Sequence, residues 1–200
     1  KTTSDVDAEH ITHKFTRFSI KSISKSGLGT IKNIGMGSLR EYLNIDFSKD
    51  YHQMWKKLIN FSNKPALSKG KLKKLVIKNK KLYKFASDNG KKYQNKLNKL
   101  CFKAFNNLLK KDKLNFLNFI LDAKDKDLYV VMINSNGVII YKANEKKISS
   151  VSKIIAKKGS DVGYTIYIDN IPTYRIQTNA TNGIGISPFC QRVFFVDTKQ

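Results

Sequence analysis

Tyr93, Leu97, Leu100, Cys101, Ala104, Phe105 and Leu108 recur at three- and four-residue steps through an otherwise polar run. That spacing predicts a helix over 93–110 with one apolar stripe. A helix of this kind is held in place by the surface its stripe packs against, so the chain must supply such a surface. The strand-like segments supply it. Phe15 to Ile23 alternates aromatic or β-branched residues with polar ones, sending Phe18 and Ile20 one way and Arg17, Ser19 and Lys21 the other. Leu128 to Asn134 reads as a buried strand, Asn136-Gly137 as a turn, and Val138 to Tyr141 as the returning strand. Residues 4–9, Tyr164 to Ile168, Thr173 to Thr178 and Cys190 to Val196 complete the strand set.

Between these lie other helical signals. Ser38 and Glu41 have capping-box spacing for a helix beginning at Ser38. Tyr51 to Phe61 forms a helix around Met54, Trp55, Leu58 and Ile59, stopped by Pro65. Lys71 to Ser87 is a lysine-dense helix, and Leu114 to Leu121 is apolar nearly all round and therefore buried. Ile148, Val151, Ile154 and Ile155 have the spacing of a short amphipathic helix. Ser24 to Gly37 and residues 179–188 read as glycine-containing loops. The expected fold is α+β or α/β: one domain over 1–200, a central mixed β-sheet, and a basic helical insertion at about 50–122.

Charge narrows the partner. The net charge is +23, and residues 51–125 carry 20 basic against 4 acidic side chains. A polyanion is the expected ligand. There are 34 lysines and four arginines, and lysine is a hydrated point charge suited to phosphate. An AT-rich coding sequence also enriches lysine and asparagine with no binding role. No run of about 18 apolar residues is present, so no membrane span is expected. No secretory signal is visible, and Lys1 in place of methionine suggests a start inside a longer product. Cys101 and Cys190 lack metal-ligand spacing and read as free thiols of a reducing compartment.

The acidic residues cluster near the start. Asp5, Asp7 and Glu9 share one face of the first strand by the two-residue period, and Ser19 and Lys21 share one face of the next. A carboxylate there can bind Mg²⁺, which takes a phosphate oxygen as another ligand. A lysine beside it can orient the attacking water or polarise the phosphate. His10 and His13 fall in a turn, and no P-loop or Gly-x-Ser-x-Gly elbow is present.

Thr3-Ser4-Asp5-Val6, then Phe18-Ser19-Ile20-Lys21-Ser22, then a glycine-rich loop entering a helix, resembles the PD-(D/E)xK core of type II restriction endonucleases. Thr173 to Gln177 and Cys190 to Phe195 look like the closing strands of such enzymes. The resemblance spans both ends of the chain, and the helical middle takes no part in it. It implies a Mg²⁺-dependent, sequence-specific double-strand DNA endonuclease of the bacterial cytoplasm, acting as a homodimer and leaving 5′-phosphates. It makes Asp5 the metal ligand and Lys21 the catalytic lysine, and puts Ser19 where a second acid usually stands. The second carboxylate is then Asp7 or a glutamate upstream of Lys1.

DNA contacts are expected from two further groups. Lys71, Lys73 and Lys74 suit the backbone. Arg175 and Gln177 leave one face of a strand, followed by Asn179 and Asn182, and suit guanine and adenine edges. The alternative for Arg175 is a structural ion pair with Asp169. The rival for the whole chain is a non-catalytic, basic nucleic-acid-binding protein.

Overall fold

The computed structural model describes residues 6–9, 15–22, 30–120, 128–134, 137–142, 151–180 and 189–196. In chain order the elements are β1 (Val6–Glu9), β2 (Phe15–Ser22), β3 (Thr30–Ile34), α1 (Met36–Leu43), α2 (Ser48–Ser62), α3 (Lys69–Lys78), α4 (Lys80–Asn107), α5 (Lys110–Ile120), β4 (Leu128–Asn134), β5 (Gly137–Lys142), β6 (Ile154–Ser160), β7 (Gly163–Ile168), β8 (Ile171–Ala180) and β9 (Phe189–Phe195). The class is α+β.

The strands form two sheets where one central mixed sheet was expected. A four-stranded sheet has the order β1-β2-β4-β5, with β2 and β4 parallel and the other neighbours antiparallel. A five-stranded sheet has the order β3-β9-β8-β7-β6 and is antiparallel throughout. The helical middle is not an appendage either. Leu82, Ala86, Tyr93, Leu97, Cys101 and Phe105 of α4 are buried together with Tyr164, Ile166, Tyr174, Ile176, Phe189 and Val193 of the five-stranded sheet. Each large side chain buried there contributes about 1.5–3 kcal/mol.

Polar side chains fix how α4 sits on that sheet. The Asn98 carboxamide donates to the Asp161 carbonyl at 3.2 Å and accepts from Thr178 Oγ1 at 3.1 Å. Gln191 Nε2 donates to the same Thr178 hydroxyl at 3.3 Å, and Tyr164 donates to Gln191 Oε1 at 3.2 Å. Gln94 donates to the Thr178 carbonyl. Asn106 bonds both the N–H and the C=O of Ala156, at 2.8 and 3.1 Å, as a neighbouring strand would. It thereby occupies part of the edge of β6, which exposed would be open to strange pairing. On the other side Asn89 donates to the Met54 carbonyl of α2.

Several local expectations change. The helix expected over 71–87 is two helices, broken at Asn79, whose extended backbone and side-chain bond to the Leu82 N–H start α4. Ser68 caps α3 in the same way. The helix at Ser38 begins at Met36 with Gly35 at the cap, so Ser38 lies in the first turn and makes no capping box. Leu100 is 38% exposed and drops out of the stripe, and α5 buries Phe116, Leu117 and Ile120 on one face only. Residues Thr30–Ile34, expected in a loop, form β3. Ile154 and Ile155 belong to strand β6, not to a helix. Ile154 and Ala156 face inward with Ile155 between them, a two-residue period. In the expected buried strand β4, Ile133 is exposed.

Asn98 is 3% exposed and serves two partners on the sheet. Asn98→Ala should cost about 1–3 kcal/mol by leaving the Thr178 hydroxyl and the Asp161 carbonyl short of a partner. Lys99→Ala, on the exposed side, should change stability by less than about 0.5 kcal/mol. Urea unfolding of the two variants checks this, and equal effects would refute the role given to the amide.

Candidate nucleic-acid interface

The apolar stripes that fix the helices also fix where their lysines stand. On α3, Leu72 and Val76 are buried, which leaves Lys71 and Lys74 exposed and Lys73 half-buried. On α4 the same logic exposes Lys80, Lys84, Lys91, Lys92, Lys99 and Lys103. Among the described residues, Lys96 pairs with Asp50 and Lys158 with Asp161, the latter at 3.6 Å between two exposed side chains. The rest of the helical lysine array therefore meets solvent with little acidic compensation. A few lysines cover aromatic rings instead: Lys69 lies 5.4 Å from the Trp55 ring centre and Lys57 5.4 Å from that of Tyr93. Lys113 donates to the Asn106 carbonyl at the end of α4, and desolvation lowers its pKa.

Arg175, Gln177 and Asn179 lie on the face of β8 away from α4, since Tyr174, Ile176 and Thr178 are buried between them. Arg175 is exposed, and Gln177 and Asn179 are half-buried. The proposed pairing of Arg175 with Asp169 is not the arrangement found. Asp169 and Asn170, at φ 48° and 68°, form the two-residue turn between β7 and β8. The Asp169 carboxylate accepts from the Ser152 hydroxyl at 2.6 Å, the Lys153 N–H at 2.8 Å and the Ser152 N–H at 3.0 Å. Sequence reasoning did not bring out Arg192, Phe194, Lys157 or Asn33, which strand pairing places on the same outer face. The signal was the alternation of Phe189, Gln191 and Val193, buried, with Cys190, Arg192 and Phe194 between them.

For the acidic cluster and Lys21 the structure supplies backbone register. β1 and β2 are antiparallel neighbours, with Asp7 opposite Arg17 and Glu9 opposite Phe15. Lys21 lies four positions beyond Arg17 on β2, a separation of roughly 13 Å along the strand. On its other side β2 pairs with β4, Ser19 opposite Val130 and Lys21 opposite Met132. Asp7 is thus at the register position of Arg17 and displaced along the strands from that of Lys21. Asp5 and Asn182 lie outside the described residues. A carboxylate on β1 is the hard oxygen donor that Mg²⁺ takes, whereas the Ser19 hydroxyl is a poor one. Among the described residues no three His, Cys, Asp or Glu side chains converge as a metal site.

The buried nucleophiles and phenols are structural. Desolvation pushes the Cys101 thiol far up, and burial likewise raises Tyr164 and Tyr174. Cys101 and Cys190 are both free thiols. Among the described residues no helix is long and apolar enough to cross a membrane. Comparison with protein-family models, curated proteins and solved structures finds no match for the chain.

The Ser152 hydroxyl and then the Lys153 N–H hold the Asp169 carboxyl below its ordinary value. A depressed carboxylate contributes stability that is fully present above the unfolded value, roughly pH 4, and is lost as pH falls through the lower folded value. Asp169→Asn should therefore flatten the acid limb of a stability profile below about pH 4. Thermal unfolding across that range tests it, and an unchanged acid limb would count against the assignment.

Proposed function

We propose that the chain is a Mg²⁺-dependent, sequence-specific endonuclease of double-stranded DNA, working as a homodimer in the bacterial cytoplasm. The observation that carries this reading is the antiparallel pairing of acid-bearing β1 with β2, the strand of Ser19 and Lys21, inside a mixed sheet. Asp5 is the metal ligand in this reading, with Asp7 as the candidate second carboxylate. Bound Mg²⁺ supplies charge neutralisation at the phosphate and a lowered water pKa. Lys21 orients the water for in-line attack on phosphorus, which leaves a 5′-phosphate. Two copies cut two strands, and their two-fold axis suits a palindromic site. The helical lysines, Lys71, Lys73 and Lys74 among them, hold the backbone.

The second reading is a non-catalytic nucleic-acid-binding protein. The exposed lysines of α3 and α4 favour it, since they would suffice to bind a polyanion without any metal.

Incubating supercoiled plasmid with the protein and Mg²⁺, or with chelator, separates the two. Metal-dependent linear product with 5′-phosphate ends supports the first reading, and intact plasmid at saturating protein supports the second. Asp5→Ala and Lys21→Ala should each reduce cleavage to background while DNA affinity stays within about threefold, because the lost interaction belongs to the transition state. Either variant cutting at the parent rate would remove that residue from the site.

A separate measurement addresses the lysines. Neutralising Lys71, Lys73 and Lys74 together should lower the slope of log affinity against log salt by about 2.7 if each meets a phosphate. A slope that does not move places the duplex on another face.

A further inference from the structure

The helices cover one face of the five-stranded sheet, and the chemistry of the other face is specific. Strand pairing aligns Lys157, Arg175 and Phe194 in one row across β6, β8 and β9, with Thr165 of β7 between. The next row holds Gln177, Arg192 and Asn33 of β8, β9 and β3. Lys157, Arg175, Arg192 and Asn33 are exposed, while Gln177 and Phe194 are half-buried. Neither arginine has an ion-pair partner among the described residues, and these rows contain no acid. Tyr167 stands beside them, also half-buried, with Lys157 Nζ 4.3 Å from its ring centre. Cations, flat rings and carboxamides thus share two neighbouring rows that, among the described residues, hold no acid.

Width decides which form of nucleic acid this surface takes. Five strands at about 4.8 Å spacing span roughly 19 Å. A B-form major groove is about 12 Å wide and admits a two-stranded ribbon. Arg175 and Gln177 lie on β8, the middle strand, so the strands on either side meet the phosphate walls before these side chains reach a base edge. An unpaired strand has no groove. It lies across a sheet with its bases on aromatic rings and its phosphates on neighbouring cations. Arg175 and Arg192 are diagonal neighbours on adjacent strands, roughly 7 Å apart, and a guanidinium can both clamp a phosphate and stack.

We infer that the outer face of the five-stranded sheet is a binding platform for single-stranded DNA. Arg175, Arg192 and Lys157 take phosphates, Phe194 and Tyr167 stack bases, and Gln177 and Asn33 meet base edges. The choice of DNA over RNA rests on the proposed function; the platform itself does not require cleavage.

Fluorescence anisotropy on the full chain tests it, with labelled oligothymidylate, oligouridylate of equal length and a duplex as separate probes. Oligothymidylate should bind at least as tightly as oligouridylate. Arg175→Ala combined with Arg192→Ala changes two exposed side chains and should leave the thermal midpoint unmoved. It should weaken oligothymidylate binding about tenfold or more and lower its salt slope by about 1.4, with duplex affinity within about twofold. Phe194→Leu, which keeps the apolar volume and removes the flat ring, should weaken oligothymidylate about fivefold or more. Unchanged oligothymidylate binding in the double arginine variant overturns the proposal, as do equal losses on the duplex or preference for oligouridylate. Plasmid cleavage is read separately: its absence sinks the nuclease reading and leaves the oligothymidylate result to stand or fall alone.

Discussion

Everything around the five-stranded sheet depends on how α4 lies against it. Hydrophobic burial brings the helix to the sheet but is non-directional, so Leu97, Cys101 and Phe105 alone would tolerate sliding and rotation. The carboxamides remove that freedom. Asn98, Gln94 and Asn106 each bond a named group on the strands, and Asn89 bonds α2 on the opposite side. These bonds are directional and buried or half-buried, so a wrong register would leave their partners unsatisfied at a cost of about 1–3 kcal/mol each. Once α4 is set, the lysines between its apolar positions and the outer face of the sheet beneath it both take fixed places.

The two basic surfaces differ in chemistry as well as position. The helical surface is lysine on a curved support, with point charges on long stems that suit a backbone whose sequence is not read. The sheet surface has few charges, and two of its cations are arginines set among rings and amides on paired strands. A single net charge conceals this difference in chemistry.

Helices were legible in the sequence where spacing was redundant. The Tyr93 to Leu108 stripe and the Met54 to Leu58 cluster required no tertiary information. The break at Asn79 was not legible, because Lys78-Asn79-Lys80 contains neither proline nor glycine and an asparagine cap looks like any other polar residue. Ile154-Ile155 suits either period until a partner strand is known. Thr30 to Ile34 is a short β-branched stretch whose glycine flanks hid it, and its partner β9 is far away in sequence. The same holds for function. Asp7, Ser19 and Lys21 could be noticed by type and spacing, but the offset between Asp7 and Lys21 follows from strand register, which turn geometry sets. The group of Lys157, Arg175, Arg192 and Phe194 comes from three strands and exists only after pairing.

The pairing of β3 with β9 has a consequence for synthesis. β6, β7, β8 and β9 follow one another in the chain and pair in that order, and a short turn joins β7 to β8. β3 is made before every other strand of its sheet, yet its partner is the last described strand. Its place at the sheet edge stays vacant until β9 has been made, because non-local closure waits for both segments to exist. In that interval its apolar side, Ile34 included, lacks the strand it later pairs with, and exposed apolar strands of this kind are where misassembly begins.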